Sequence, residues 1–323
     1  DWSSDVCSSD LIAVLELGMN HPGEIGVLAD MVRPTVALVN NAQREHLEFM
    51  SSVKAVAAEN GSVISAMLPE GTAVFPADDE FAPLWRSFAG ARTCITFAGA
   101  GHKPAQVYPS QAEWKLDHWQ LAIETPQARL AIRLNQAGEH NVKNAMAAVA
   151  CAMAAGVPGA AIEQGLAAFE PVKGRSRAMS LQLGAHQLTL IDDSYNANPD
   201  SVRAAVDVLA GLPAPRLMVL GDMGEVGDQG PAFHAEVGRY ARERGIDQLF
   251  CLGTQTARSA QAFGAGAHFA EADALIAAVL AELTSFGSVL VKGSRFMKME
   301  RVVHSVINAC AQRQSSAARS VTC

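Results

Sequence analysis

The residues best suited to chemistry lie in three short strings, each closing an apolar run. QLTLIDD ends in Asp192-Asp193-Ser194-Tyr195-Asn196-Ala197-Asn198-Pro199, RLMVLGD leads into Gly221-Asp222-Met223-Gly224-Glu225, and SVLVKG ends in Lys292-Gly293-Ser294-Arg295. Together they offer acids, amides and cations to one crevice, the set needed to seat a charged ligand through charge-assisted hydrogen bonds. Taken singly, each string also reads as turn and capping chemistry, as Asn198 ahead of a helix illustrates. Three such ends favour a site over three coincident turns.

A second group precedes these. Glu16 closes the apolar run LIAVLEL, and His46 follows Asn40-Asn41 at the end of PTVALVN. A carboxylate, an imidazole and phosphate oxygens can complete an octahedral shell around a hard cation. A lone histidine between acidic and basic neighbours reads equally well as a solvated surface residue. The string Gly138-Glu139-His140-Asn141-Val142-Lys143-Asn144 opens a helix, where Asn141 could act as a simple N-cap. Arg175, in the short polar stretch PVKGRSR, could be a hinge ion pair.

The elements that position these residues follow from periodicity. Strand LIAVLEL, a helix over Glu24 to Met31, strand PTVALVN and a helix over Val53 to Met67 read as α/β crossovers, continued by GTAVFPA and RTCITFA. The segment from Trp114 to Leu134 alternates apolar and polar residues about a Thr-Pro turn and predicts antiparallel strands. Helices over about Asn141 to Ala155 and Gly159 to Phe169 follow. PVKGRSR, 171 to 177, is the domain boundary. Beyond it strands and helices alternate regularly to the end, predicting a doubly wound parallel sheet whose ligands sit outside the carboxyl ends of the strands.

DDSYNANP, LGDMGEVG and LVKGSR, in that order and spacing, resemble the C-terminal domain of the Mur ligase family. Asn196 and Asn198, where single-amino-acid ligases and folylpolyglutamate synthases carry a His-containing string, favour its dipeptide-adding branch. ELGMNHPGEI and VNNAQREHLEFMSS resemble the family's central ATPase motifs. The resemblance runs from about Leu11 to Cys323 and implies an α/β chain. A partial central ATP-binding domain with a mixed sheet (11–173) would precede a Rossmann-like ligase domain (174–323), and the polar residues 1–10 are expected to be a non-native extension. It further implies ATP and Mg²⁺ as cofactors, with the metal on Glu16 and His46. Asn141, Asn144, Arg175, Asp193, Tyr195 and Asn198 would face the nucleotide, and Asn196, Lys292, Ser294 and Arg295 the substrate. Arg175 and Lys292 would be catalytic. The implied partners are a UDP-N-acetylmuramoyl tripeptide and D-Ala-D-Ala, met by a cytoplasmic monomer that makes peptidoglycan precursor.

The family's phosphate loop, G-x-x-G-K-[ST], does not occur in this sequence, so little catalysis is expected of the chain by itself. Asn60 stands where many relatives carry a lysine that becomes carbamylated. A non-catalytic binding module and a folylpolyglutamate-type ligase are the competing expectations.

Composition narrows the classes. With 49% hydrophobic and 18% charged residues, the chain can build about two buried cores. A net charge of -8, with no basic stripe, argues against nucleic acid. The six cysteines show no C-x-x-C pair, which disfavours zinc and a disulfide scaffold. The longest apolar stretch, Ala145 to Val157, is shorter than the roughly 18 residues a membrane span needs.

Overall fold

A computed structural model describes residues 12–45, 48–101, 105–115, 118–184 and 186–320, with side chains described to residue 313. Three sheets organise the chain. The first is parallel, in the order β1 (Val36–Leu38), β2 (Thr72–Pro76), β3 (Thr93–Phe97). Parallel neighbours need crossovers, and α2 (Val53–Ser65) and α3 (Ala82–Ala89) supply them. Ser52 caps α2 by accepting the Ala55 N–H. Trp85 of α3 is fully buried against Phe75, and its Nε1–H donates to the Ala57 carbonyl. Gly61 of α2 is what lets the two helices meet, since a Cβ there would lie 2.8 Å from the Trp85 and Phe88 rings.

The second sheet is antiparallel: β4 (Tyr108–Trp114), β5 (Trp119–Glu124) and β6 (Arg129–Leu134). Alternation along RLAIRL buries Leu130, Ile132 and Leu134 and leaves Arg129, Ala131 and Arg133 outside. The buried face packs on α4 (Glu139–Ala154) and α5 (Gly159–Ala167). Because α4 also packs on β2 and β3, both small sheets share one core around Val74, Phe97 and Met146.

The third sheet has six strands in the order β11-β10-β9-β12-β8-β7. They are β7 (Arg177–Leu183), β8 (His186–Asp193), β9 (Arg216–Gly221), β10 (Gln248–Leu252), β11 (Ala267–Phe269) and β12 (Ser288–Lys292). All neighbours are parallel except β7, which pairs antiparallel with β8 at the edge. One face is covered by α6 (Pro199–Ala210), α7 (Gly230–Glu243) and α8 (Ala257–Phe263), the other by α9 (Ala272–Glu282) and α10 (Glu300–Ser320). The strands are therefore wrapped on both sides, and β12 is buried at all five positions. The sheet order matters for function: β12 lies between β8 and β9, so the ends of those three strands stand side by side.

Three expectations change. LIAVLEL forms no strand in its described part, 12–17: Ile12, Val14 and Leu15 are exposed, and no described strand pairs with them. An apolar run makes a segment competent for a buried sheet, but only a partner ladder makes it a strand. Two unforeseen strands, β4 and β7, also occur. β4 is largely polar, and β7 begins inside the stretch read as a linker. The N-cap of α4 is Gly138 at φ 96°, not Asn141, which is buried at the third helical position.

Candidate active site at three strand ends

Register does the first part of the work. Lys292 at the end of β12 is paired in the ladder with Asp193 at the end of β8. Its Nζ donates to Asp193 Oδ2 at 2.6 Å and to the Asn196 carbonyl at 3.0 Å, with the side chain only 3% exposed. Asp193 Oδ1 accepts from the Ser176 N–H and hydroxyl at 2.9 and 3.1 Å. The neighbouring acid has a different task. Asp192 accepts the Gly174 N–H and the Ser194 hydroxyl, and the Gly174 carbonyl accepts the Tyr195 N–H. The segment 174–176 is thereby stitched to the end of β8, with Gly174 at φ 79° making the approach.

Ser294 joins all three strand ends. Its hydroxyl donates to the Ala197 carbonyl and accepts the Gly224 N–H, while its own N–H donates to the Asp222 carbonyl. At 3% exposure, this side chain serves the framework. Asn198 is likewise engaged: it caps α6, accepting the Ser201 N–H at 2.7 Å, while its own N–H donates to Ser201 Oγ. Asn196 is exposed, and its Oδ1 accepts the Ala197 N–H.

Cations gather at the mouth. The Tyr195 ring, 43% exposed, lies beneath the Arg175 guanidinium at 4.3 Å and within 5.7 Å of that of Arg295. Stacking on an aromatic face holds a guanidinium while leaving its N–H edge for a ligand. Among the described residues Arg175 thus makes a ring contact rather than the hinge ion pair the sequence left open. Arg295 also reaches Glu300 at 3.4 Å. Arg175 and Arg295 therefore converge on one ring, two residues beyond the Asp193 that Lys292 holds.

The preceding half contributes a chain of amides. Asn40 Nδ2 donates to Asn144 Oδ1, Asn144 Nδ2 to Asn141 Oδ1, and Asn141 Nδ2 to the Ala137 carbonyl. Asn144 thus ties the end of β1 to α4. His140, in the first turn of α4, lies close enough to Lys292 and Asp193 to feel both charges. Burial lowers its pKa, Asp193 opposes this and Lys292 adds to it. GEHNVKN gives no sign of this proximity in the sequence, because the charged neighbours of His140 come from beyond the boundary. Glu16 stands exposed, and His46 lies outside the described residues. Among the described residues no three His, Cys, Asp or Glu side chains gather to hold a metal, and a site shared by Glu16 and His46 falls partly outside them. Asn60 Nδ2 donates to the Asn41 carbonyl.

Comparison with known proteins adds the decisive observation. Residues 6–152 match the Mur ligase middle domain, and 175–295 match the Mur ligase, glutamate ligase domain. The chain belongs to the Mur ligase family. Among curated members, the UDP-N-acetylmuramoyl-tripeptide--D-alanyl-D-alanine ligase of Escherichia coli is 38% identical over 301 residues, covering 91% of this chain and 65% of that protein. The Bacillus subtilis ligase of the same name is 30% identical over 309 residues, covering 92% and 65%. A crystal structure of MurF from Acinetobacter baumannii superposes with a TM-score of 0.83 at 33% identity, covering 92% of this chain and 64% of that one. The Mur ligase chain described here thus spans about 65% of the length of the curated relatives it matches. At 20% identity, a Thermotoga maritima MurF solved with ADP agrees in fold, with a TM-score of 0.80 over 93% of this chain and 68% of that one. No described helix is long and apolar enough to cross a membrane.

Proposed function

We propose that this chain works within an ATP-dependent amide ligase that joins D-Ala-D-Ala to a UDP-N-acetylmuramoyl tripeptide in peptidoglycan precursor synthesis, acting as a cytoplasmic monomer. The observation that carries the reading is the convergence of Lys292, Arg295 and Arg175 beside Asp193 and Tyr195, in a chain whose relatives bear that name.

When bound, ATP would supply the γ-phosphoryl group that activates the tripeptide carboxylate, with ADP leaving and phosphate then displaced by the dipeptide amine, and Mg²⁺ held by Glu16 and His46 would offset phosphate charge. The chain's own residues would bind, orient and balance charge. Arg175, held flat on Tyr195, is placed to meet phosphoryl oxygens, where a pre-oriented cation stabilises developing charge without reorganising. Arg295, 67% exposed, is the natural seat for the dipeptide carboxylate. Lys292 is buried, and its bonds to Asp193 and Asn196 orient the 193–198 string from beneath, so its part in catalysis is to hold the charge balance of the floor. Asn144, with Asn141 behind it, offers its remaining amide edge to the nucleotide base. Asp193, Asn196, Asn198 and Ser294 shape the wall between these groups.

Calorimetric titration of the chain with D-Ala-D-Ala and, separately, with glutamate tests this reading. Binding of the dipeptide, weakened about tenfold or more by Arg295→Ala as expected for a lost charge-assisted bond, supports it. Binding of glutamate instead would favour the folylpolyglutamate-type reading, and binding of neither the non-catalytic module.

A further inference from the structure

Arg44 lies in the segment that follows β1, four residues after Asn40, in the part of the chain that precedes the boundary. Its partners lie 156 and 192 residues away, on α6 and α7. The backbone N–H donates to Asp200 Oδ2 at 3.0 Å, and Nε and Nη2 donate to Asp200 Oδ1 at 3.0 and 2.5 Å. Nη1 and Nη2 donate to Glu236 at 2.8 and 3.0 Å. The guanidinium also lies 5.2 Å from the Phe233 ring centre. Arg203 of α6 donates to the same Glu236 at 2.9 Å while stacking on Tyr240 at 4.2 Å. Hydrogen bonds to Glu236 and Asp200 raise the Arg44 pKa above its already high ordinary value, so this charge is permanent.

Apolar packing makes a separate junction, where Ala137 and Trp114 join the core beneath α6 and Gly138 approaches Val208. The Arg44 cluster is different in kind. Its three members keep roughly a quarter of their side-chain surface in water: 23% for Arg44, 28% for Asp200 and 26% for Glu236. Solvent and salt therefore reach it. Asp200 sits two residues after the Asn198 cap, so whatever holds Asp200 also holds the 193–198 string relative to the end of β1.

We propose that Arg44 is an ionic clamp between the two domains, fixing the β1-end segment against α6 and α7 by charge and not by apolar contact, so that ionic strength opens and closes it. The clamp sets the spacing between the two groups of candidate site residues, and it holds whatever the substrate.

Hydrogen–deuterium exchange of the whole chain, followed in peptides covering 40–45, 199–206 and 230–238, provides the test. Raising salt from about 20 mM to about 500 mM should screen the cluster and speed exchange in all three peptides of the wild type by about threefold or more. Arg44→Met should show that faster exchange already at low salt, with little further response. Arg44→Lys should resemble Arg44→Met, because one ammonium cannot span two carboxylates as the guanidinium fork does. Combining Arg44→Met with Asp200→Asn should add nothing to the single change. Equal salt response in wild type and Arg44→Met, or faster exchange confined to 40–45, would overturn the proposal. The wild-type salt series needs no variant to fold.

Discussion

Two polar clusters cross from one segment of this chain to another, and they differ in depth. Lys292–Asp193 is 3% and 15% exposed and has its hydrogen bonds supplied by Ser176 and Asn196, whereas Arg44 with Asp200 and Glu236 sits at the water's edge. Burial makes the first pair expensive to break, because a lone charge would be left in a dry place. Solvent makes the second cheap to break, since screened charges lose little when parted. The first therefore specifies how the crevice is built, and the second how one half lies against the other.

The largest expected effect breaks the buried pair. Lys292→Met should cost about 3–5 kcal/mol in urea unfolding, as Asp193 loses its partner. Adding Asp193→Asn should recover much of that loss, because the remaining amide carries no charge. If the double variant were no more stable than the single, the cost would come from packing and the ion-pair account would fail.

A buried neutral imidazole sharpens the contrast through pH. His234 is fully buried, with Nδ1 2.7 Å from the Gly230 carbonyl and Nε2 accepting the Met223 N–H, an arrangement only the neutral ring satisfies. Burial lowers its pKa, partly offset by the bond to Gly230 and the charge of Asp222. The folded state therefore binds fewer protons than the unfolded one below the ordinary value of 6.5. The stability from this histidine is full above about 6.5 and is lost as pH falls through the lowered folded value, and His140 acts in the same direction. Unfolding midpoints between pH 8 and 5 should fall with acid, and less steeply in His234→Gln. An unchanged slope in the variant would assign the acid sensitivity elsewhere. Arg44, permanently charged, should contribute no slope over that range.

Cap loss comes next. Asn198→Ala removes the oxygen that accepts the Ser201 N–H and should cost about 1 kcal/mol. Asn198→Asp should keep most of the stability, and a variant with neither loss nor recovery would remove the cap from the account.

What could be read in the sequence follows the same divide. The ends of β8, β9 and β12 were legible because each closes a buried apolar run, and chain-local chemistry marks such ends. The capping role of Asn198 was legible too, since its partner Ser201 is three residues away. Ser294 was read as facing substrate, yet its hydroxyl is spent on Ala197 and Gly224, which arrive from other strands and leave no local trace. Arg44 gave no signal at all for the same reason. LIAVLEL shows the converse, a strong strand pattern that the described residues leave without a ladder. Strand β4 was missed because Ser110, Gln111 and Glu113 dilute its pattern, although pairing with β5 supplies the bonds.

The smallest effect is the most informative about arrangement. Arg44→Met should change global stability by less than about 1 kcal/mol, because part-exposed ion pairs gain little over their hydrated, separated states. Lys292→Met, by contrast, should lower stability severalfold more while leaving the salt response of the 40–45 peptide intact, since the buried pair is shielded from ions. The two variants thus separate along two axes, one moving the urea midpoint and the other the salt dependence of exchange. If Arg44→Met instead cost as much stability as Lys292→Met, the cluster would be part of the core's cohesion. Depth of burial would then have been the wrong measure of what each cluster does.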